Sequence, residues 1–323
     1  MSSTLTHNDT LHPISSQSPA GRADYLEPIA KGYKTLSNTP KTVSIKPSGF
    51  DDNTATKCGY WSMLGQCEHG HGFAKTLSCG REWCEECRED YEARRFARWL
   101  PKAQQIGTMG YLVITTPPNR RPRSKDELRK IRRSIVRGLK RLGFNRGLSR
   151  WHWFGDKSNR WYPHLNILLD CGYIPKDKMD DVKAMVNRVF KVNLVVVNYR
   201  YSDKVSQKVH WLKYIVRATF LDKGWDEAMA RELYRFNNTH SWGKWDDEPV
   251  WQLAEGQRDA TGLAELETGH CPYCHTKIHW KGGRDGLVRT DCLQAYGLVE
   301  LGGGYYGLAA DKAENNIDFE AKP

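Results

Sequence analysis

The chain has 323 residues, with 49 Lys or Arg against 38 Asp or Glu, a formal charge of +11. A basic excess of this size points to an anionic partner, of which nucleic acid is the commonest. No secretory pattern opens the sequence and no apolar run is long enough for a bilayer, so a cytoplasmic, nucleoid-associated protein with no membrane partner is expected. The nine cysteines are clustered, which in a chain without a secretion signal favours zinc over disulfides.

Residues 1–50 are rich in Ser, Thr, Pro and Asn without apolar periodicity and read as a disordered tail. Residues 51–100 read as a zinc-binding segment that runs into a helix over 88–100. Residues 101–222 alternate strands and helices. Gly110–Thr116 is a strand stopped by Pro117 and Pro118. Lys125–Leu142 is a basic helix with Ser124 as N-cap and Glu127 three residues on. Leu148–Asp156 and Trp161–Asp170 form a hairpin. Lys176–Phe190 is a helix with Pro175 at its start and Met179, Val182, Val186 and Val189 on one face. Asn193–Tyr199 is a strand and Asp203–Phe220 a helix. This β-α-β-β-α-β-α order predicts an α+β protein with a ferredoxin-like antiparallel sheet and helices on one face. Residues 223–265 read as a helical, Trp-rich extension, 266–300 as a second zinc-binding segment and 301–323 as a flexible tail.

Thiolates hold zinc tetrahedrally, and a short Cys-x-x-Cys step places two sulfurs on one ion. Cys79, Cys84 and Cys87 form one such group, with Cys67 favoured as fourth ligand over Cys58, His69 and His71. Cys271 and Cys274 start a second, to be completed by Cys292 and one of His270, His275 or His279. Cys171 ends a strand and reads as a buried thiol.

Side chains alternate along a strand, so His164 and Asn166 share one face. A five-residue loop, 157–161, sets His152 opposite Asn166 and gathers His152, His164 and Asn166, with Asp156 in reserve; a four-residue loop sends His152 to the far face. The first register is favoured because it collects the polar groups. Two imidazoles and an amide oxygen suit a divalent ion with open positions, such as Mn²⁺ or Mg²⁺.

On the last helix Val205, Val209, Leu212, Val216 and Phe220 form an apolar stripe. His210, Tyr214 and Arg217 lie on roughly the opposite side at i, i+4 and i+7. A cation beside a tyrosine favours its phenolate, and Arg217 or Lys213 can supply it or hold a phosphate. Between Arg120 and Arg150 there are 13 Lys or Arg and only 2 acidic residues, a density suited to phosphate neutralisation.

Three motifs, GYLVITTPP (110–118), YPHLNILLD (162–170) and LKYIVR (212–217), resemble those of the HUH endonucleases, in particular the single-tyrosine rolling-circle replication initiators of plasmids and phages. The resemblance covers about residues 58–222. It implies His164 and Asn166 as metal ligands and Tyr214 as nucleophile. The family's second histidine is Asn166 here, and the glutamate that some relatives carry four residues before the tyrosine is His210. The implied reaction is metal-dependent nicking of single-stranded origin DNA through a 5′-phosphotyrosine, with host polymerase and helicase as partners, since no Walker motif is present. A transposase or relaxase of the same chemistry, or a non-catalytic zinc-containing DNA-binding regulator, are the competing readings.

Overall fold

The computed structural model describes residues 58–82, 84, 86–154, 160–219, 227–254, 259–281 and 286–308. The 1–50 segment, Asp156, Phe220 and Trp225 lie outside these. The described chain is mixed α+β, built on two antiparallel sheets.

Strands β1 (Trp61–Cys67) and β2 (Gly72–Thr76) form a hairpin and α1 (Arg88–Gln104) follows. The central sheet begins with β3 (Met109–Thr115), whose end at Pro117 and Pro118 is expected because proline cannot donate to a ladder. Helix α2 (Lys125–Arg141) is capped by Ser124, whose Oγ accepts from the Glu127 N–H at 3.2 Å. Strands β4 (Gly147–His152) and β5 (His164–Asp170) come next, then α3 (Lys176–Phe190), β6 (Val197–Ser202) and α4 (Val205–Val216). Beyond them lie α5 (Glu227–Leu233), β7 (Thr239–Trp242), α6 (Asp259–Thr268), β8 (Ile278–Trp280), β9 (Leu287–Arg289), β10 (Leu298–Gly302) and β11 (Tyr305–Leu308).

The strand order of the central sheet is β6-β3-β5-β4-β7, with every pairing antiparallel. Each helical crossover, through α2 or α3, skips one strand position, and the skipped place is filled by a strand of the other crossover. The apolar sets on the two faces of this sheet are separate. Leu112, Ile114, Trp151, Leu165, Ile167 and Leu169 pack with α2 and α3, while Met109, Leu148 and Leu168 pack with α1 and α4. The sheet is therefore covered on both faces, where the element order alone suggested helices on one. Gly138 is what lets α2 and α3 close up: a Cβ there would stand 2.5 Å from the Met185 side chain.

Several expected boundaries moved: the strands read at 148–156 and 161–170 are Gly147–His152 and His164–Asp170, and the helix read at 203–220 is Val205–Val216. The apolar run at 193–196 is not strand. Asn187 holds it through the Asn193 carbonyl and the Val195 N–H, both at 2.9 Å, and leaves Leu194 81% exposed. The strand is instead Val197–Ser202, with alternating burial at an edge of the sheet. The Trp-rich extension is not simply helical, because β7 within it adds a fifth strand against β4. Its Trp251 is buried, with Nε1 donating to the carbonyls of Ala103 and Ile106 at the end of α1.

The two cysteine-bearing segments do not form separate modules. β1 pairs with β2 on one side and with β8 and β9 on the other, and β11 pairs with β2. The sheet they share continues through residue 308, into the stretch read as a flexible tail. Among the described residues no helix is long and apolar enough to cross a membrane.

Candidate active site and metal centres

Strand pairing places His152 directly across from His164 and Arg150 across from Asn166. This is a correction of two residues to the expected register, in which His152 faced Asn166. The connection between β4 and β5 runs from 153 to 163, longer than the loop assumed. Parity is preserved by a shift of two, so His152, His164 and Asn166 still share one face of the sheet.

The two imidazoles are 5.4 Å apart between ring centroids, and the Tyr214 ring of α4 lies 5.2 Å from His152. His152 is buried, and its Nε2 donates to the Ile215 carbonyl at 3.0 Å. A carbonyl only accepts, so Nε2 carries the proton and Nδ1 presents its lone pair. That Nδ1 is buried without a hydrogen-bond partner. Burial first, then the charges of His164 and Arg217, hold His152 well below the usual histidine range, so its ring is neutral. His164 is buried as well, and its Nδ1 donates to the Tyr162 carbonyl at 3.2 Å, which makes Nε2 the acceptor.

Asn166 is fully buried, its Oδ1 accepts from the Tyr111 hydroxyl at 2.5 Å, and its Nδ2 has no partner. The two ends of an amide occupy equivalent places. Turned over, Nδ2 donates to the Tyr111 oxygen and Oδ1 is left as a bare acceptor on the face of the two imidazoles. Two buried orphan atoms on one patch, His152 Nδ1 and the Asn166 amide, fit a cation held by imidazole nitrogen and an amide oxygen.

Tyr214 is half-buried on α4, between His152 and Tyr111, whose ring is 6.3 Å away. Helix α4 stops at Val216, and Arg217 turns to an extended conformation. Its guanidinium lies 4.1 Å from the centre of the Tyr214 ring, and Nη2 donates to the phenolic oxygen at 3.3 Å. Arg217 is thus the cation beside Tyr214. Lys213 points elsewhere: its Nζ lies 5.6 Å over the Phe96 ring of α1, and burial pulls its pKa down. His210 stands one turn before Tyr214 and is exposed.

A buried ionic network lies beneath this site, and nothing in the sequence pattern signalled it. Glu82, in the loop between Cys79 and Cys84, accepts from Arg95 at 2.7 Å and from Arg150. Its other oxygen accepts from the Thr219 N–H at 3.0 Å and from the Thr219 hydroxyl. Arg150 also reaches the Arg217 carbonyl at 3.4 Å. Burial opposes ionisation of Glu82, but Arg150 and Arg95 outweigh it and hold the carboxyl down at about 2. One carboxylate therefore ties the cysteine loop, the strand beside Asn166 and the segment that follows the tyrosine helix.

Among the described residues, seven cysteines and His71 form two groups of four whose ligand atoms lie within 4.8 Å of one another, Cys58, Cys79, Cys84 and Cys87, and Cys67, His71, Cys271 and Cys274. Each can hold a structural metal such as zinc. A tetrahedral Zn–S bond of about 2.3 Å sets sulfur–sulfur separations of about 3.8 Å. Cys79 and Cys87 are 3.7 Å apart, Cys67 and Cys274 3.6 Å, and His71 Nδ1 is 3.3 Å from Cys67 and 3.5 Å from Cys271. The thiols of Cys58, Cys79 and Cys87 push that of Cys84 far below its ordinary range. Burial opposes ionisation of Cys274, yet hydrogen bonds from Thr276 and neighbours hold it down at about 5.

Three of the expected assignments are corrected here. Cys67 belongs with Cys271 and Cys274, because it ends β1 beside β8, and Cys58 takes the place expected for it. Cys292 joins neither group and instead contacts Asp291 at 3.5 Å. His270, His275 and His279 stand outside the second group, and His71 takes the place expected for one of them. The Cys67-x3-His71 spacing was the available signal. Cys171 stands outside both groups, half-buried, with its thiol 3.7 Å from the Gly172 carbonyl.

The basic helix α2 covers the sheet face opposite the His152–Tyr214 site. Lys130, Arg133, Arg137, Lys140 and Arg141 are exposed along it at helical spacing. Arg132 is not part of that ridge: it is buried and donates to the carbonyls of Asn237 and Asn238.

No family model, no curated protein and no solved structure matches this chain.

Proposed function

We propose that the protein is a tyrosine endonuclease and strand transferase of the HUH type, which nicks single-stranded origin DNA to start rolling-circle replication. The observation that carries this reading is the meeting of Tyr214 and Arg217 with His152, His164 and Asn166 in one place. The split β-α-β order and the strand order β6-β3-β5-β4 support the ferredoxin-like core that the resemblance implies.

In this reading His152, His164 and Asn166 would hold a divalent ion, Mn²⁺ or Mg²⁺. Bound there, the ion supplies Lewis-acid polarisation of the scissile phosphate. Tyr214 Oη attacks phosphorus in line. The new Tyr–O–P bond forms as the bond from phosphorus to the 3′-oxygen breaks, and the phenolic proton is balanced by the one the 3′-oxygen takes up. The products are a 5′-phosphotyrosine and a free 3′-hydroxyl, which a host polymerase can extend. Arg217, whose Nη2 lies 3.3 Å from the phenolic oxygen, can also hold the scissile phosphate beside it. The His152–Ile215 hydrogen bond fixes the ligand tautomer and ties that ligand to the helix carrying the nucleophile. Exposed His210 is placed to exchange protons with solvent in the release step.

The test uses single-stranded DNA from the element's own origin with Mn²⁺. Cleavage at one position, leaving a 3′ end that a polymerase extends, supports the reading. Tight binding with neither cleavage nor strand joining overturns it.

A further inference from the structure

Beyond the ends of β3 and β5 the chain forms a cavity of about 310 Å³, lined by Pro118, Asn119, Arg121, Arg123, Arg160 and Trp161. Its volume lies in the range of sites for small organic ligands, about 300–1,000 Å³. Its walls are fastened together, since the Thr116 N–H and hydroxyl both donate to the Pro163 carbonyl, at 3.2 and 2.6 Å. Trp161 is held in place by stacking on Trp153 at 5.5 Å and by donating from Nε1 to the Pro122 carbonyl at 3.0 Å. The Arg121 guanidinium lies 4.8 Å over the Tyr162 ring, and its Nε is buried with no hydrogen-bond partner. Three arginines and, among the described residues, no carboxylate line the cavity, which suits an anionic ligand, and the indole adds a planar aromatic partner.

We propose that this cavity is a nucleotide subsite for single-stranded DNA, with the arginines taking a phosphate and Trp161 a base. Stacking on an indole needs an unpaired base, and a cavity of this size excludes a duplex. Trp161 is three residues before His164, and Thr115, three before Pro118, is the cross-strand partner of His164. Three residues span at most about 10 Å, so the subsite lies within one or two nucleotides of the His152–His164 centre. It also stands next to the N-terminus of α2 and leads the strand from the reaction centre, over the sheet end, toward the exposed basic ridge. The position relative to the scissile phosphate rests on the proposed nuclease reading; the binding itself does not.

The probe is fluorescein-labelled dT12, with anisotropy read across a salt series. Parent protein is compared with Arg123→Glu/Arg160→Glu, both at exposed positions, and with Arg121→Ala, each checked for a parent-like circular dichroism melt. Each charge reversal pair is expected to weaken binding by about tenfold or more and to flatten the log–log salt slope by about 1.4, the value for two phosphate contacts on a single strand. A 5-bromouracil placed within the probe is expected to crosslink to the peptide that contains Trp161. Unchanged affinity and salt slope, or crosslinks confined to other peptides, overturn the subsite. Covalent adduct with origin DNA is scored separately, so an absent adduct removes the cleavage reading while the anisotropy and crosslink results still decide the subsite.

Discussion

His152 and His164 are cross-strand partners on β4 and β5, with ring centroids 5.4 Å apart and planes at 71°. One nitrogen of each ring meets a backbone carbonyl, that of Ile215 for His152 and that of Tyr162 for His164. If they share one ion, His152→Ala and His164→Ala each raise the half-saturating Mn²⁺ concentration by about 100-fold or more, since losing even an outer partner of a ligand costs 10–100-fold. Asn166→Asp lowers it, because a carboxylate adds charge where an amide stood. Titration of free Mn²⁺ by its spin resonance signal, without DNA, checks all three. Equal affinity in parent and histidine variants removes the shared ion.

Cysteine pairing gives a counting experiment. Purified protein is expected to carry two zinc ions per chain. Cys58→Ser and His71→Ala each lose one, their combination loses both, and Cys292→Ser keeps both. Elemental analysis after gel filtration reads the result. If Cys67 completed the Cys79 group, Cys58→Ser would be silent.

Glu82 holds the tyrosine helix's exit in place through Arg150 and Thr219. Glu82→Gln leaves Arg95 and Arg150 buried without their counter-charge, which costs about 3–5 kcal/mol for such a pair. Urea unfolding measures the loss. Nicking by the fraction still folded is expected to fall at least tenfold with Mn²⁺ affinity little changed, because the network touches the tyrosine side of the site and not the imidazoles.

Glu267 gives the pH dependence of the second sheet. Its side chain is buried against Arg98 at 2.6 Å, Lys75 at 3.4 Å and the Tyr305 hydroxyl at 2.9 Å. Burial raises its pKa, but Lys75 and then Arg98 win and lower it. A carboxyl lowered on folding adds stability above its unfolded pKa, about 4.3, and that stability is lost as pH falls through the folded value. Glu267→Gln is therefore expected to lower the denaturation midpoint at pH 7 and to flatten its fall below about pH 4. A variant with the parent's acid limb contradicts this.

Much of the central sheet was legible because its signals are local. Ser124 and Glu127 marked the start of α2, Pro175 that of α3, and strand parity alone put His164 and Asn166 on one face. What escaped depended on contacts distant in sequence. Cys67 and Cys271 meet because β1 pairs with β8, a partnership no spacing announces. The run 193–196 is apolar enough for a strand, yet Asn187 captures its backbone. Arg217 was read as a helical neighbour of Tyr214, three residues on. It reaches the ring from just past the helix end, a bend that periodicity cannot show. Glu82 meets Arg150 across 68 residues of sequence, a pairing no local pattern carries.

The most direct measurement is mass analysis of the covalent product formed from 3′-end-labelled origin DNA and Mn²⁺, with parent and Tyr214→Phe run together. A nucleotide attached to the peptide carrying Tyr214, absent from Tyr214→Phe although that variant binds DNA as tightly, is the expected result. Attachment to another residue, or the same adduct in Tyr214→Phe, contradicts the assignment of Tyr214 as the nucleophile.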